Sequence, residues 1–152
     1  HRAPLPDRVG ERLALQRDVW RGDPAHAGDR WCRLLDDFTR SASIAFKADG
    51  EAILLFGKTL RHLGRSIYLR EIEGREDGLP PPVDLDVEKR NGDFVRALIT
   101  QDRVSAVHDC ADGGLIVTLA EMALAGDLGA EISAIPGELP AHAALFGEDQ
   151  AR

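Results

Sequence analysis

Residues 104–116, Val-Ser-Ala-Val-His-Asp-Cys-Ala-Asp-Gly-Gly-Leu-Ile, constrain this chain more than any other stretch. Val104 to Val107 is a short run that favours extended backbone. His108, Asp109 and Asp112 then surround a turn. Gly113 and Gly114 lead straight into an apolar stripe formed by Leu115, Ile116, Leu119, Met122 and Ala123, which predicts a helix over 113–125. A strand, a carboxylate-bearing turn and a Gly-Gly helix start form a local plan suited to a phosphate or a metal-bound phosphate. Glycine lets the backbone come close to a ligand. The free N–H groups and positive dipole end of a helix favour an anion. Carboxylates can hold a divalent cation against a phosphate. From spacing alone a plainer reading stays open, in which Asp112 caps the helix and His108 is a satisfied core histidine.

The flanking sequence alternates the two element types. Ser43 to Lys47 places Ile44 and Phe46 on one face, as a strand does, and Ala52 to Phe56 reads as a strand buried on both faces. A short helix is expected within 59–73, around Ser66 to Ile72, with Gly74 as its stop. Gly74, Gly78 and Pro80-Pro81-Pro82 mark a loop. Asp84 is a good cap for a helix over 85–100, whose Val87, Asn91, Phe94, Val95, Leu98 and Ile99 share one side. After the central stretch come a strand at Ala130 to Ile135 and a short helix over 139–146. Glu121 is expected to be solvated. The order predicts an α/β or α+β layer.

A chain of 152 residues is the size of one domain. Its net charge of −7 argues against nucleic acid or an anionic membrane as the main partner. Cys32 and Cys110 lie far apart in no metal-like spacing, which fits a reducing, cytoplasmic setting. The longest apolar stretch, Leu115 to Ala125, contains Glu121 and is too short to span a bilayer.

Several motifs together carry a family resemblance. His108-Asp109-Cys110-Ala111-Asp112-Gly113-Gly114-Leu115, with Leu119-Ala120-Glu121-Met122-Ala123, resembles the H-D-V-S-D-G-G-L…L-A-E-M-A stretch of phosphoribosylformylglycinamidine synthase, a ligase of purine biosynthesis. Tyr68 to Ile72, Pro81 to Leu85, Arg90 to Arg96, Gly129 to Ile132 and Leu145-Phe146-Gly147-Glu148-Asp149-Gln150 agree in order. The resemblance runs without a gap from Leu34 to Arg152. It departs at Cys110 and Ala111, where valine or leucine and serine are usual. The lost serine hydroxyl is expected to weaken a hydrogen bond in the turn.

The resemblance implies an incomplete C-terminal domain of the aminoimidazole ribonucleotide synthetase-like superfamily, a mixed sheet with helices. Residues 34–50 correspond to the last part of a nucleotide-binding domain. Residues 51–152 correspond to the C-terminal α/β domain, expected to be truncated at its end. The parent enzyme uses ATP, magnesium and glutamine to turn formylglycinamide ribonucleotide into the formylglycinamidine ribonucleotide. Its partners are its remaining domains, a glutaminase and small accessory subunits. The residues implied at ligands are Asp109 for metal, Asp112, Gly113 and Gly114 for nucleotide or phosphate, and Glu148, Asp149 and Gln150 for substrate. No catalytic residue is implied. Alternatives are a non-catalytic partial domain and another ATP-dependent synthetase of the superfamily, such as aminoimidazole ribonucleotide synthetase or selenophosphate synthetase. The isolated chain is expected to be inactive and marginally stable.

Residues 1–33 match nothing in this register. They hold seven arginines, no lysine, both tryptophans and no hydrophobic period. Shifted by one nucleotide, codons allowed for Leu13 to Asp18 read S-L-Y-N-E-T. Those for Val9 to Arg12 allow S-G-N-V, and those for Asp23 to Trp31 allow I-L-P-T-P-A-I-G-G. The family carries such a segment just before L-L-D-D, and its S-G-N-V-S contacts ATP, magnesium and substrate. Those positions fall on Gly10, Glu11 and Leu13, so only Gly10 retains the family residue. The expectation is an out-of-frame segment over 1–33.

Overall fold

Among the described residues, four helices organise the fold. The computed structural model describes residues 37–133 and 138–152. Asp37–Arg152 is one compact unit. The helices are α1 (Ile67–Glu71), α2 (Leu85–Thr100), α3 (Gly114–Gly126) and α4 (Ala141–Phe146). Each lies within or beside the range that the sequence predicts.

The cap at Asp84 shows why. Its carboxylate accepts the N–H groups of Asp86 and Val87, each at 3.1 Å, which satisfies two of the donors that a helix start leaves open. Ser66 does the same for α1 through Leu69 N–H. At the other end of α3, Asp127 takes the left-handed conformation and returns its N–H to the Ala123 carbonyl.

The core sits where α3 meets α4. Leu69 from α1, Leu115, Leu119 and Met122 from α3, and Ala143 and Ala144 from α4 are buried. Alanines on α4 let the two helices approach closely. Tyr68 packs against Phe146 and His142, with ring centroids 4.9 and 6.0 Å apart. Helix α2 contributes no buried residue. Its expected stripe is half-buried at Val87, Asn91, Val95, Leu98 and Ile99. Phe94 is half-exposed and meets Phe56 edge-on at 5.4 Å.

The expected sheet is the main departure. Among the described residues no strand forms, and the mixed sheet is reduced to one parallel bridge between Ser43 and Ala106. Val107 N–H donates to the Ser43 carbonyl at 3.0 Å. The two segments expected as strands thus meet in parallel but do not extend into a ladder. Ala52 to Phe56 forms no ladder, and Ile53 and Leu54 are exposed. A strand is stabilised only through its neighbours, so an apolar run without one stays irregular. Part of the expected strand 130–135 lies outside the described residues, as do Gly10, Glu11, Leu13 and all of 1–33.

Candidate functional site

The turn before α3 and the turn after α4 form one structure. Gly113, at φ +80°, is the N-cap of α3, and it offers no side chain to cap the helix. Asp112 does not supply the cap. A carboxylate from 35 residues away does: Glu148 Oε1 accepts Gly113 N–H at 2.8 Å. The same oxygen accepts the N–H of Ile67, the first residue of α1, also at 2.8 Å. One anionic oxygen therefore joins the starts of two helices, where positive backbone potential favours it.

Gly114 explains how the two turns come so close. Its φ is +69°, and a Cβ there would stand 2.6 Å from the Gly147 carbonyl oxygen and 2.8 Å from Phe146 C. Only glycine fits. Its N–H closes the turn onto the Ala111 carbonyl at 3.1 Å, a backbone bond that needs no serine hydroxyl at 111. Thr118 Oγ1 adds bonds to the carbonyls of Gly114 and Asp109.

Asp149 is anchored still more firmly. Its side chain is 2% exposed. Oδ1 accepts from His62 Nδ1 at 2.7 Å, and Oδ2 accepts from Leu60 N–H at 2.8 Å. Arg152 Nη1 lies 3.9 Å from Oδ2, and its Nη2 donates to the Gly147 carbonyl. A buried carboxylate needs such partners to offset its lost hydration. Glu148 N–H also donates to the His62 carbonyl at 3.2 Å. The 147–152 turn is thus fixed to the segment before α1.

His108 sits between two carboxylates. Nε2 lies 2.8 Å from Glu121 Oε2, and Nδ1 lies 3.2 Å from Asp109 Oδ1. Glu121 is therefore a histidine partner rather than a freely solvated group. Asp109 is 78% exposed and holds no other side chain.

Two clefts open beside these turns. One, of about 200 Å³, is bordered by Gly64, Arg65, Pro80, Asp112, Glu148 and Gln150. The other, of about 160 Å³, lies beside Asp109, Cys110, Asp149, Gln150 and Arg152. Asp112 and Gln150 are exposed at the first cleft and make no side-chain hydrogen bond among the described residues, so they are free to meet a ligand. Among the described residues no three His, Cys, Asp or Glu side chains converge on a point that holds a metal. Glu148 and Asp149 are engaged internally, and Asp109 keeps an exposed carboxylate.

The sequence names Asp109, Asp112, Gly113, Gly114 and Glu148 to Gln150 as two separate motifs, and the fold brings both to one place. It misses His62, Arg65 and the N–H groups of Leu60 and Ile67. Nothing local marks His62, Leu60 or Ile67, because their partners lie more than eighty residues away, and Arg65 is marked only by its place at the cleft.

This geometry belongs to a known domain class. The chain is a member of the family described as AIR synthase related protein, C-terminal domain, whose model matches residues 48–152. More particularly, it is 64% identical over 119 residues to phosphoribosylformylglycinamidine synthase subunit PurL of Rhodopseudomonas palustris (strain TIE-1). Identity to the proteins of that name is 63% in Nitrobacter hamburgensis and 62% in Bradyrhizobium diazoefficiens. Each match covers 78% of this chain and 16% of the relative, so the chain spans about a sixth of their length. The resemblance stated from the motifs therefore holds. No helix among the described residues is long and apolar enough to cross a membrane.

Proposed function

We propose that this chain is a segment of the C-terminal half of an ATP- and glutamine-dependent ligase of purine biosynthesis, the one that converts formylglycinamide ribonucleotide to formylglycinamidine ribonucleotide. The observation that carries this reading is the meeting of the two signature segments. His108 to Leu115 and Phe146 to Gln150 close on each other through Glu148 and border one cleft. The identity to the relatives over 119 residues supports it from the sequence side.

In the complete enzyme, ATP activates the substrate amide oxygen as an iminophosphate, and ammonia then displaces phosphate. On this reading the 109–114 and 148–150 turns line a face of the complete ligand site. Gly113 and Gly114 give the turn its shape. Glu148 and Asp149 hold it in place. Asp112, Gln150 and Arg65 are the groups left to face a phosphate-bearing ligand. Asp109 is the exposed carboxylate left to approach magnesium, in company with groups from the remaining domains. Those domains, a glutaminase and small accessory subunits are the proposed partners, in the cytoplasm. The segments around Ser43, Ala52 to Phe56 and Ala106 belong to a mixed sheet in the complete domain. The parallel Ser43–Ala106 bridge supports that register.

The isolated chain lacks most of the relatives' length, so it does not turn over. The test is an assay of phosphate release from ATP with ammonia and formylglycinamide ribonucleotide on the 152-residue chain. No release above background is expected, and release that depends on both substrates would contradict this account.

Residues 1–33 are proposed to be an out-of-frame reading of the segment that precedes L-L-D-D in the family. The 119 matched residues equal the length of 34–152, which supports that boundary. The nucleotide sequence tests it. The shifted frame must encode S-G-N-V-S-L-Y-N-E-T, and any other product there removes the proposal.

A further inference from the structure

The start of α3 is where the sequence places a phosphate, and a carboxylate already stands there. Glu148 Oε1 accepts Gly113 N–H and Ile67 N–H, both at 2.8 Å. The Gly114 N–H is returned to the Ala111 carbonyl. The Gly113 and Gly114 N–H groups at the mouth of this helix are thus engaged from within the chain. Glu148 is half-buried, and its backbone N–H is bonded to the His62 carbonyl, which fixes the residue's backbone beside α1. The neighbouring Asp149 is itself fixed by His62 and Leu60.

We propose that Glu148 is a built-in anion that keeps external phosphate from the Gly113 and Ile67 N–H groups. This goes beyond the reading of the chain as a ligase segment. It assigns Glu148 a discriminating role that ligand contact would not give it. An incoming phosphate must either displace the carboxylate from two charge-assisted bonds or sit beside it and beside Asp112, which lines the same cleft. Like charges within about 4 Å disfavour each other even in water. The phosphate-bearing part of any ligand in the cleft is therefore directed away from Gly113. The same two bonds hold the 109–114 turn against α1, so Glu148 is a positioning residue for Asp112 as well.

The test uses inorganic phosphate as the probe on the full 152-residue chain, followed through amide resonances in a uniformly nitrogen-15-labelled sample. Chloride at matched ionic strength is the control. In the wild-type chain the Gly113 and Ile67 resonances stay in place as phosphate is added. In Glu148→Ala the two N–H groups are freed, and both resonances move saturably with phosphate but not with chloride. Glu148→Gln keeps an oxygen acceptor without the charge. It preserves the fold if Glu148→Ala does not, and its Gly113 resonance also moves saturably with phosphate. Saturable movement of Gly113 in the wild type at the variants' affinity would overturn the proposal. So would a Gly113 resonance that ignores phosphate in every variant that folds. The readout needs no turnover, so it stands or falls apart from the ligase reading.

Discussion

At the scale of single residues, backbone geometry carries the site more than side-chain chemistry does. Gly114→Ala would drive a Cβ to within 2.6 Å of the Gly147 carbonyl oxygen at a φ that L side chains rarely adopt. The expected loss is about 2 kcal/mol or more of unfolding free energy. Urea denaturation reads it directly, and a midpoint equal to the wild type's would mean that the two turns do not touch as described. The Gly-Gly pair was legible in the sequence as a place of close backbone approach. What was not legible is the object that approaches. The sequence points to a ligand, and the fold supplies the chain's own Gly147 and Glu148. His62 illustrates the same limit. Within Leu60-Arg61-His62-Leu63-Gly64 it has no pattern, and only the buried Asp149 gives it a role.

At the scale of elements, helices were legible and strands were not, for a physical reason. A helix makes its hydrogen bonds within itself, so cap and period lie in one short window. Asp84 and the stripe from Val87 to Ile99 set α2 at Leu85–Thr100. Asp84→Ala removes bonds to two N–H groups and is expected to cost about 1 kcal/mol, seen as a lower denaturation midpoint and reduced helical circular dichroism. A strand makes its bonds elsewhere in the chain, and the runs at 52–56 and 104–107 carry no information about a neighbour.

Along α2, hydrogen bonds from Lys89 and then Arg96 hold the Asp93 carboxyl below its ordinary value of 3.8. Because the folded value is the lower one, the carboxylate stabilises the helix above pH 3.8, and that contribution is lost as pH falls through the folded value. Asp93→Asn should therefore lower helical signal slightly at neutral pH and leave it unchanged in strong acid. A difference that persists in acid would contradict the assignment.

At the scale of the whole molecule, a small core is joined to much exposed apolar surface. Among the described residues, six apolar side chains are buried, while Phe38, Ile72, Leu79, Leu85 and Leu124 are each more than two-thirds exposed. Apolar surface of this kind is a feature of chains that pack against further domains. It agrees with a segment that spans 16% of its relatives' length. The measurement that bears most directly on the central reading exchanges the segment into such a relative. Residues 34–152 replace the matched 119 residues of the Rhodopseudomonas palustris protein, and ATP-dependent phosphate release is measured with ammonia and formylglycinamide ribonucleotide. The prediction is a folded chimera that releases phosphate well above background and depends on both substrates. A folded chimera that releases none would contradict the reading of this chain as a working part of that ligase.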